Sequence, residues 1–238
     1  MKVEIFIPCF NEEKNISLLV SSWSKVIDSA KGYKIFVTFI DNGSDDLTNN
    51  ELSKNIDSLK NEGLRTITKD DNNGYGSGIM FGAKESNADL IGWAHADLQF
   101  EPLQIIENLN EIIENLSTYE DILIIGERLN RGLIDISFTK GMSCFVWLFT
   151  KIYIHDINSQ PKIFSSGLLR NLNKSPNDFN LDLHICLKAI RLNYRIIRIK
   201  LNFKDRIFES AKGGGTIYGK IKLSFSVFKY LFNKNLYD

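Results

Sequence analysis

Cysteine and proline are both scarce in this chain of 238 residues, at three and four. Cys9, Cys144 and Cys186 are far apart and lack metal-ligand spacing, which fits buried thiols in a reducing compartment. No proline-rich linker, internal repeat or low-complexity tract divides the chain. Net charge is missing as well: 29 Lys+Arg balance 29 Asp+Glu, so no chain-wide basic field argues for a nucleic-acid partner. No uninterrupted apolar run reaches the roughly 18 residues expected of a membrane span. The opening Met-Lys-Val-Glu-Ile-Phe-Ile-Pro is broken by Glu4 and Pro8 and does not read as a signal peptide. These absences point to a cytoplasmic chain, with a peripheral contact at the cytoplasmic face of a membrane left open. A hydrophobic share of 43% is ample for a core, and the chain is expected to form one domain over 1–238.

What is present alternates. Strand-like runs at 3–8, 33–40, 64–68, 90–94, 122–125, 163–164 and 195–203 are rich in β-branched and aromatic residues. Between them, apolar residues recur at helical spacing, as in Ile16, Leu19, Val20, Trp23, Val26 and Ile27. The pattern predicts an α/β fold, a mainly parallel central sheet with helices on both faces. The stretch 138–154 reads as a helix that is apolar over a wide arc. A core helix is the expectation, and a helix lying on a bilayer is the alternative. The tail 217–232 reads as amphipathic, with Lys220, Lys222 and Lys229 among aromatics.

The chemistry gathers at strand ends. Asn11-Glu12, Asp41-Asn42, the 73–78 loop and 95–99 each follow a predicted strand, and a parallel sheet brings such ends to one edge. Side chains on a strand alternate faces, so His95, Asp97 and Gln99 can project to the same side with an imidazole, a carboxylate and an amide. That set suits a divalent cation with open positions for phosphate oxygens. Capping of the next helix is the structural alternative. The glycines of the 73–78 loop would let backbone approach a polar ligand. Two nucleotide motifs fail. Gly74, Gly76 and Gly78 are followed by Ile79, so G-x-G-x-x-G is not met, and Gly214 to Lys220 lacks the Ser/Thr of a P-loop because Ile221 follows.

With these residues placed, the chain resembles the family 2 glycosyltransferases of the GT-A fold, within them the polyprenol-phosphate sugar transferases of the dolichol-phosphate mannosyltransferase type. Ile7-Pro8-Cys9-Phe10-Asn11-Glu12-Glu13 is similar to the family's I-P-x-[YF]-N-E-E, and Ile40-Asp41-Asn42-Gly43-Ser44-Asp45-Asp46 to its V-D-D-G-S-x-D. Asn73-Gly74-Tyr75-Gly76 resembles N-x-G-K-G, and His95-Ala96-Asp97-Leu98-Gln99 resembles D-A-D-L-Q. Gly126-Glu127-Arg128 resembles G-S-R, and 156–162 the D-x-x-S-G-[FY]-[RK] stretch that contains Gln160 and Lys162. Arg206 and Lys212 match the ends of R-x-x-G-x-S-K, with Glu209 and Ala211 in place of its Gly and Ser. His95 replaces the first Asp of D-x-D, Asn42 a second Asp, and Tyr75 a Lys. The C-terminal transmembrane helices of many relatives are not in this sequence.

The resemblance implies a nucleotide-sugar-binding half, 1–128, and an acceptor-binding half, 129–238, that ends in an amphipathic helix. Pro8, Asn11, Glu12, Asp41, Asn42, Gly43, Asn73, Gly74, Tyr75, Gly76, His95 and Ala96 would line the donor pocket. Asp97, with Gln99 and His95, would hold Mg²⁺ or Mn²⁺. Arg128, Arg206, Lys212, Gln160 and Lys162 would face the acceptor. The implied reaction is inverting transfer from a nucleotide-diphosphate sugar, to a polyprenyl phosphate or else to a saccharide hydroxyl, as in surface-polysaccharide synthesis. For a hydroxyl acceptor Asp182 is the candidate base, and a helix N-terminal acid is its structural alternative. A non-catalytic nucleotide-sugar-binding module and a nucleotidyltransferase are the rival classes.

Overall fold

Short aliphatic runs spaced by amphipathic ones leave the strands nowhere to go but between two layers of helices. In the computed structural model, residues 1–172, 174–204 and 217–232 are described. They form β1 (Lys2–Cys9), α1 (Glu13–Ile27), β2 (Lys34–Asn42), α2 (Thr48–Leu59), β3 (Leu64–Lys69), α3 (Tyr75–Ala83) and β4 (Leu90–Trp93). Then come α4 (Pro102–Asn115), β5 (Ile122–Leu129), α5 (Leu133–Thr150), β6 (Lys162–Ser165), α6 (Leu181–Arg191), β7 (Arg195–Asn202) and α7 (Ile217–Phe232).

All seven strands join one sheet in the order β3-β2-β1-β4-β6-β5-β7. Only β6 runs antiparallel to its neighbours, β4 and β5. Cys9 pairs with Asp41 and Asn42 with Lys69, so the first three strands end together. Pro8 lies inside β1 without cost to the ladder. The Phe6 carbonyl accepts the last bond from β4's side, from the Ala94 amide at 3.0 Å. Two residues on, Pro8 would address that same side, where β4 has ended and no amide is needed.

The core has one cluster on each face. On one, α1 buries Ile16, Leu19, Val20 and Trp23 at helical spacing, beside Leu52 of α2 and Ile105 and Leu109 of α4. Each such side chain contributes about 1.5–3 kcal/mol, and Trp23→Ala would cost about 3–5 kcal/mol. The other face holds Met80 of α3, Trp93, Phe164, and Leu183 and Leu187 of α6.

Three expectations change. The 138–154 helix starts earlier, at Leu133, and is not a core helix: within it only Ser143 and Val146 are buried. Leu133 is 83% and Leu148 57% exposed. The reason is that α3 and α6 already cover that face, leaving α5 outside against α7. The glycines at 76 and 78 lie within α3 rather than in a loop, since the helix begins at Tyr75. Finally, β4 stops at Trp93, and 94–99 bends away with Leu98 in the left-handed region at φ 55°. Strand alternation therefore does not align His95, Asp97 and Gln99.

Candidate active site

The loops after β1 and β2 are closed on each other. The Asn11 amide, at φ 53°, donates to Ser44 Oγ at 3.1 Å, and Asn11 Oδ1 accepts from the Asp45 amide at 2.9 Å. The Glu12 amide donates to Thr48 Oγ1 at 2.8 Å, and Glu13 Oε2 accepts from the Leu47 amide at 3.2 Å. Asp41, buried at the end of β2, accepts from the Ser44 amide at 3.1 Å. Asn42 is equally buried and turns toward the glycine segment, donating to the Gly74 carbonyl at 3.2 Å.

The glycines answer to protein rather than ligand. A Cβ on Gly74 would stand 2.4 Å from the Asn177 carbonyl oxygen, and one on Gly76 would stand 2.3 Å from that of Pro176. The Ser77 amide donates to the Asn177 carbonyl at 3.1 Å, so 174–178 packs directly on this turn. Gly43, at φ 72°, meets the Asn72 backbone in the same way, at 2.6 Å. Asn73 is exposed beside them.

Tyr75 links three segments far apart in the chain. Its ring stacks on Phe179 at 4.6 Å and lies 5.5 Å from the His95 ring. Its hydroxyl accepts from Gln160 Nε2 at 2.9 Å. Burial holds this phenol well above its ordinary range, and the charges of Asp182 and Asp97 add to the effect. Asp182 is fully buried in the first turn of α6 and accepts from Trp93 Nε1 at 2.8 Å and from Gln160 Nε2 at 2.9 Å. Neither Asp182 nor Gln160 offers an open surface; both brace the floor of the site.

At the end of β5, Arg128 grips the buried Asp156 with two nitrogens, Nε at 2.9 Å and Nη2 closer still. Arg131 reaches the same carboxylate at 3.4 Å. Burial alone would raise the Asp156 pKa, but the Arg128 hydrogen bond and the charges of Arg128, Arg131 and Lys162 hold it below its usual value. Burial and then Arg128 push Arg131 down. Two guanidinium groups thus share one carboxylate, and the charge of Asp135 acts on Arg131 as well. Arg131 escapes sequence reasoning because no motif contains it; its spacing of three from Arg128 is the only hint.

Other expected site residues are placed less openly. Lys162 is completely buried and donates to the Ile157 and Ser159 carbonyls at 2.9 and 2.6 Å, so it is a loop brace and not an acceptor contact. Gln99 gives its side-chain amide to the Lys204 carbonyl at 3.2 Å, turned toward the end of β7. The Ala96 methyl lies in the core. Arg206 and Lys212, with Glu209 and Ala211, lie outside the described residues. No group of three His, Cys, Asp or Glu gathers among the described residues. His95 and Asp97 are therefore too few for a protein-only metal site. Asp97 does fit a hard cation shared with ligand phosphates, which needs only one or two carboxylates from protein.

The family profile for Glycosyl transferase family 2 matches residues 4–160, most of the chain. The chain belongs to this family. A dolichol-phosphate mannosyltransferase from Pyrococcus furiosus is 30% identical over 135 residues, 56% of this chain and 34% of that protein. The match thus spans about a third of that relative's length. Glucosyl-3-phosphoglycerate synthase from Mycobacterium tuberculosis, in complex with Mn²⁺, UDP and glucosyl-3-phosphoglycerate, superposes with a TM-score of 0.69 over 95% of this chain and 77% of its own. Its identity is 15%, and that likeness shows the fold. The same enzyme with Mn²⁺, UDP-glucose and phosphoglyceric acid gives 0.67 at 16% identity, over 95% and 77%. The family 2 chain described here therefore has the α/β GT-A fold.

Proposed function

We propose that this chain transfers a sugar from a nucleotide-diphosphate sugar to a phosphate-bearing acceptor, a polyprenyl phosphate. The observation that carries the reading is the pair of guanidinium groups, Arg128 and Arg131, gathered on Asp156 at the same sheet edge as Asp97. The relative from Pyrococcus furiosus and the phosphoglycerate-bound synthase both have phosphate-bearing acceptors in their names, which fits that pair.

In this reading Asp41 accepts from the base or ribose, and the closed 11–13 and 41–48 loops wall the nucleotide. Asp97 and His95 would hold Mn²⁺ or Mg²⁺ with the diphosphate, and the bound cation would neutralise charge on the leaving group. An acceptor phosphate oxygen attacks the anomeric carbon as its bond to the donor diphosphate breaks, inverting that centre. The attacking oxygen is already anionic, so no general base is required. Arg128 and Arg131, held in place by Asp156, orient it by their charge and by the N–H groups that Asp156 leaves over. Asp182 remains a brace: both its oxygens are occupied, which disfavours the hydroxyl-acceptor reading. Family membership sets the nucleotidyltransferase reading aside. The test is transfer of labelled sugar from UDP-, GDP- and CDP-sugars to a short polyprenyl phosphate and, in parallel, to free saccharides. Label in the lipid phosphate alone supports the reading, and label in saccharide alone overturns it.

A further inference from the structure

Although the chain as a whole is neutral, two helices that share one apolar face carry lysines and a single acidic residue. α5 and α7 lie side by side on the outside of the fold, enclosing a groove of about 750 Å³ lined by Phe138, Met142, Phe145, Ile221, Phe225 and Phe228. A run of rings borders it, with Phe145–Phe228 centroids at 5.3 Å and Phe228–Phe232 at 4.5 Å. Around it Leu148, Phe225 and Ile221 are each more than half exposed, as are Leu133 and Ile134 at the start of α5. A contiguous apolar face of this kind marks an interaction site.

Charge says what kind of partner. Lys140, Lys151, Lys222 and Lys229 all stand exposed on or beside these two helices. Asp135 is the single acidic residue in either helix, and its charge acts on Arg131. The outward surface is thus aromatic and cationic. By length and composition α5 could also cross a membrane. Its inner side speaks against that: Ser143 and Val146 are buried in the fold, and the Arg131 guanidinium bonds the Asp135 carbonyl at 3.3 Å. A helix so tied stays packed along the fold.

We propose that the α5–α7 face docks on a bilayer carrying anionic lipids, with the rings and Leu148 at the acyl boundary and the lysines among the headgroups. The inner side of α7 leads to the candidate active site. Ser226 Oγ donates to Asp178 Oδ2 at 3.0 Å and accepts from Asn180 Nδ2 at 2.8 Å. The Tyr230 hydroxyl meets His184 Nδ1 at 2.7 Å. Between these contacts lie Phe179, which stacks on Tyr75, and Asp182, which holds Gln160, so docking seats this wall of the site beside the membrane. The inference deepens the lipid-phosphate reading and rests on it for its purpose: an acceptor whose tail stays in the bilayer must be met there.

The test uses the full chain, without donor, and vesicles of phosphatidylcholine alone or with phosphatidylglycerol. Trp147 is 47% exposed whereas Trp23 and Trp93 are at most 1% exposed, so a change in indole emission reports this face. The chain is expected to co-sediment with the anionic vesicles, with Trp147 emission shifting to the blue. Lys222→Glu with Lys229→Glu should weaken binding at least about tenfold. Leu148→Ser with Phe225→Ser should do the same, and both pairs should keep the parent Tm, since all four residues are exposed. No binding to anionic vesicles, or equal binding by folded variants, overturns the proposal. So does a dimer in light scattering that the Leu148/Phe225 pair dissolves, because the face would then belong to a second copy. Vesicle binding without lipid glycosylation would sink the proposed reaction and leave the docking surface standing. Transfer without vesicle binding would do the opposite.

Discussion

Gln160 donates its side-chain amide to both carboxylate oxygens of Asp182 at 2.9 Å, and to the Tyr75 hydroxyl at the same distance. One amide therefore locks the start of α3, the start of α6 and the turn before β6 into a single wall. Gln160 and Asp182 have no exposed surface to spare for a substrate.

The first prediction follows for Asp182→Asn. An asparagine there turns an N–H toward one of two donors, Trp93 Nε1 or Gln160 Nε2, and leaves it unpaired. Stability should fall by about 1–3 kcal/mol in denaturant unfolding. Transfer to a polyprenyl phosphate, assayed below the lowered Tm, should persist. A loss of about a hundredfold or more in kcat by a folded variant would restore the general-base role.

The second concerns Gly76. A methyl group at this position meets the Pro176 carbonyl at 2.3 Å, so Gly76→Ala must displace the 174–178 segment or the helix start. Overpacking of this sort costs about 1–3 kcal/mol. Gly132→Ala, with nothing within 4 Å of its added carbon, should leave Tm within experimental scatter. Equal Tm values for the two variants would contradict the packing account.

A third prediction is a pH window. Burial, and then the charge of Lys188, push the His184 pKa down to about 4 from the ordinary 6.5. The folded state therefore stays neutral where the unfolded chain takes up a proton. The stability from keeping His184 neutral is complete above pH 6.5 and is lost as pH falls from about 6.5 to about 4, by about 3 kcal/mol in all. His184→Gln should flatten the dependence of unfolding free energy on pH across that window. An unchanged slope would contradict the assignment.

Arg128→Lys should be costly although it keeps the charge. Lysine cannot reproduce the two-nitrogen grip on Asp156, and the loss of a charged hydrogen bond amounts to about 1.5–3 kcal/mol. Unfolding measurements should show that cost, and KM for a phosphate acceptor should rise. Unchanged KM and stability would remove Arg128 from the account.

Much of this architecture could be read from the sequence. Six strands stand out as aliphatic, β-branched runs, β6 shows only as the remnant Ile163-Phe164, and the polar ends of the parallel strands converge as the sheet requires. Direction was hidden at β6, because a four-residue strand carries no mark of orientation. The surface position of α5 was hidden too, since a wide apolar arc looks the same beneath a helix layer and on top of one. The glycines of 74 and 76 suggested room for a ligand, and the room is taken by another loop. Lys162 illustrates the limit most clearly. Its place in a family motif suggested a cation for the acceptor, yet two loop carbonyls claim it inside the fold. Sequence shows which side chains can carry chemistry; only the packing shows which are already occupied.

The central claim is that Asp97 works on a nucleotide-diphosphate sugar at the end of β4. The most direct measurement is release of nucleoside diphosphate from a panel of UDP-, GDP- and CDP-sugars, with Mn²⁺ and a polyprenyl phosphate present. The account predicts release from one donor class, its loss in excess EDTA, and a drop of about a hundredfold or more in Asp97→Asn, of the size seen when a charge stabilising the transition state is removed. The fold of that variant should be unchanged by circular dichroism. Release by Asp97→Asn at the parent rate, or undiminished turnover in EDTA, would contradict it.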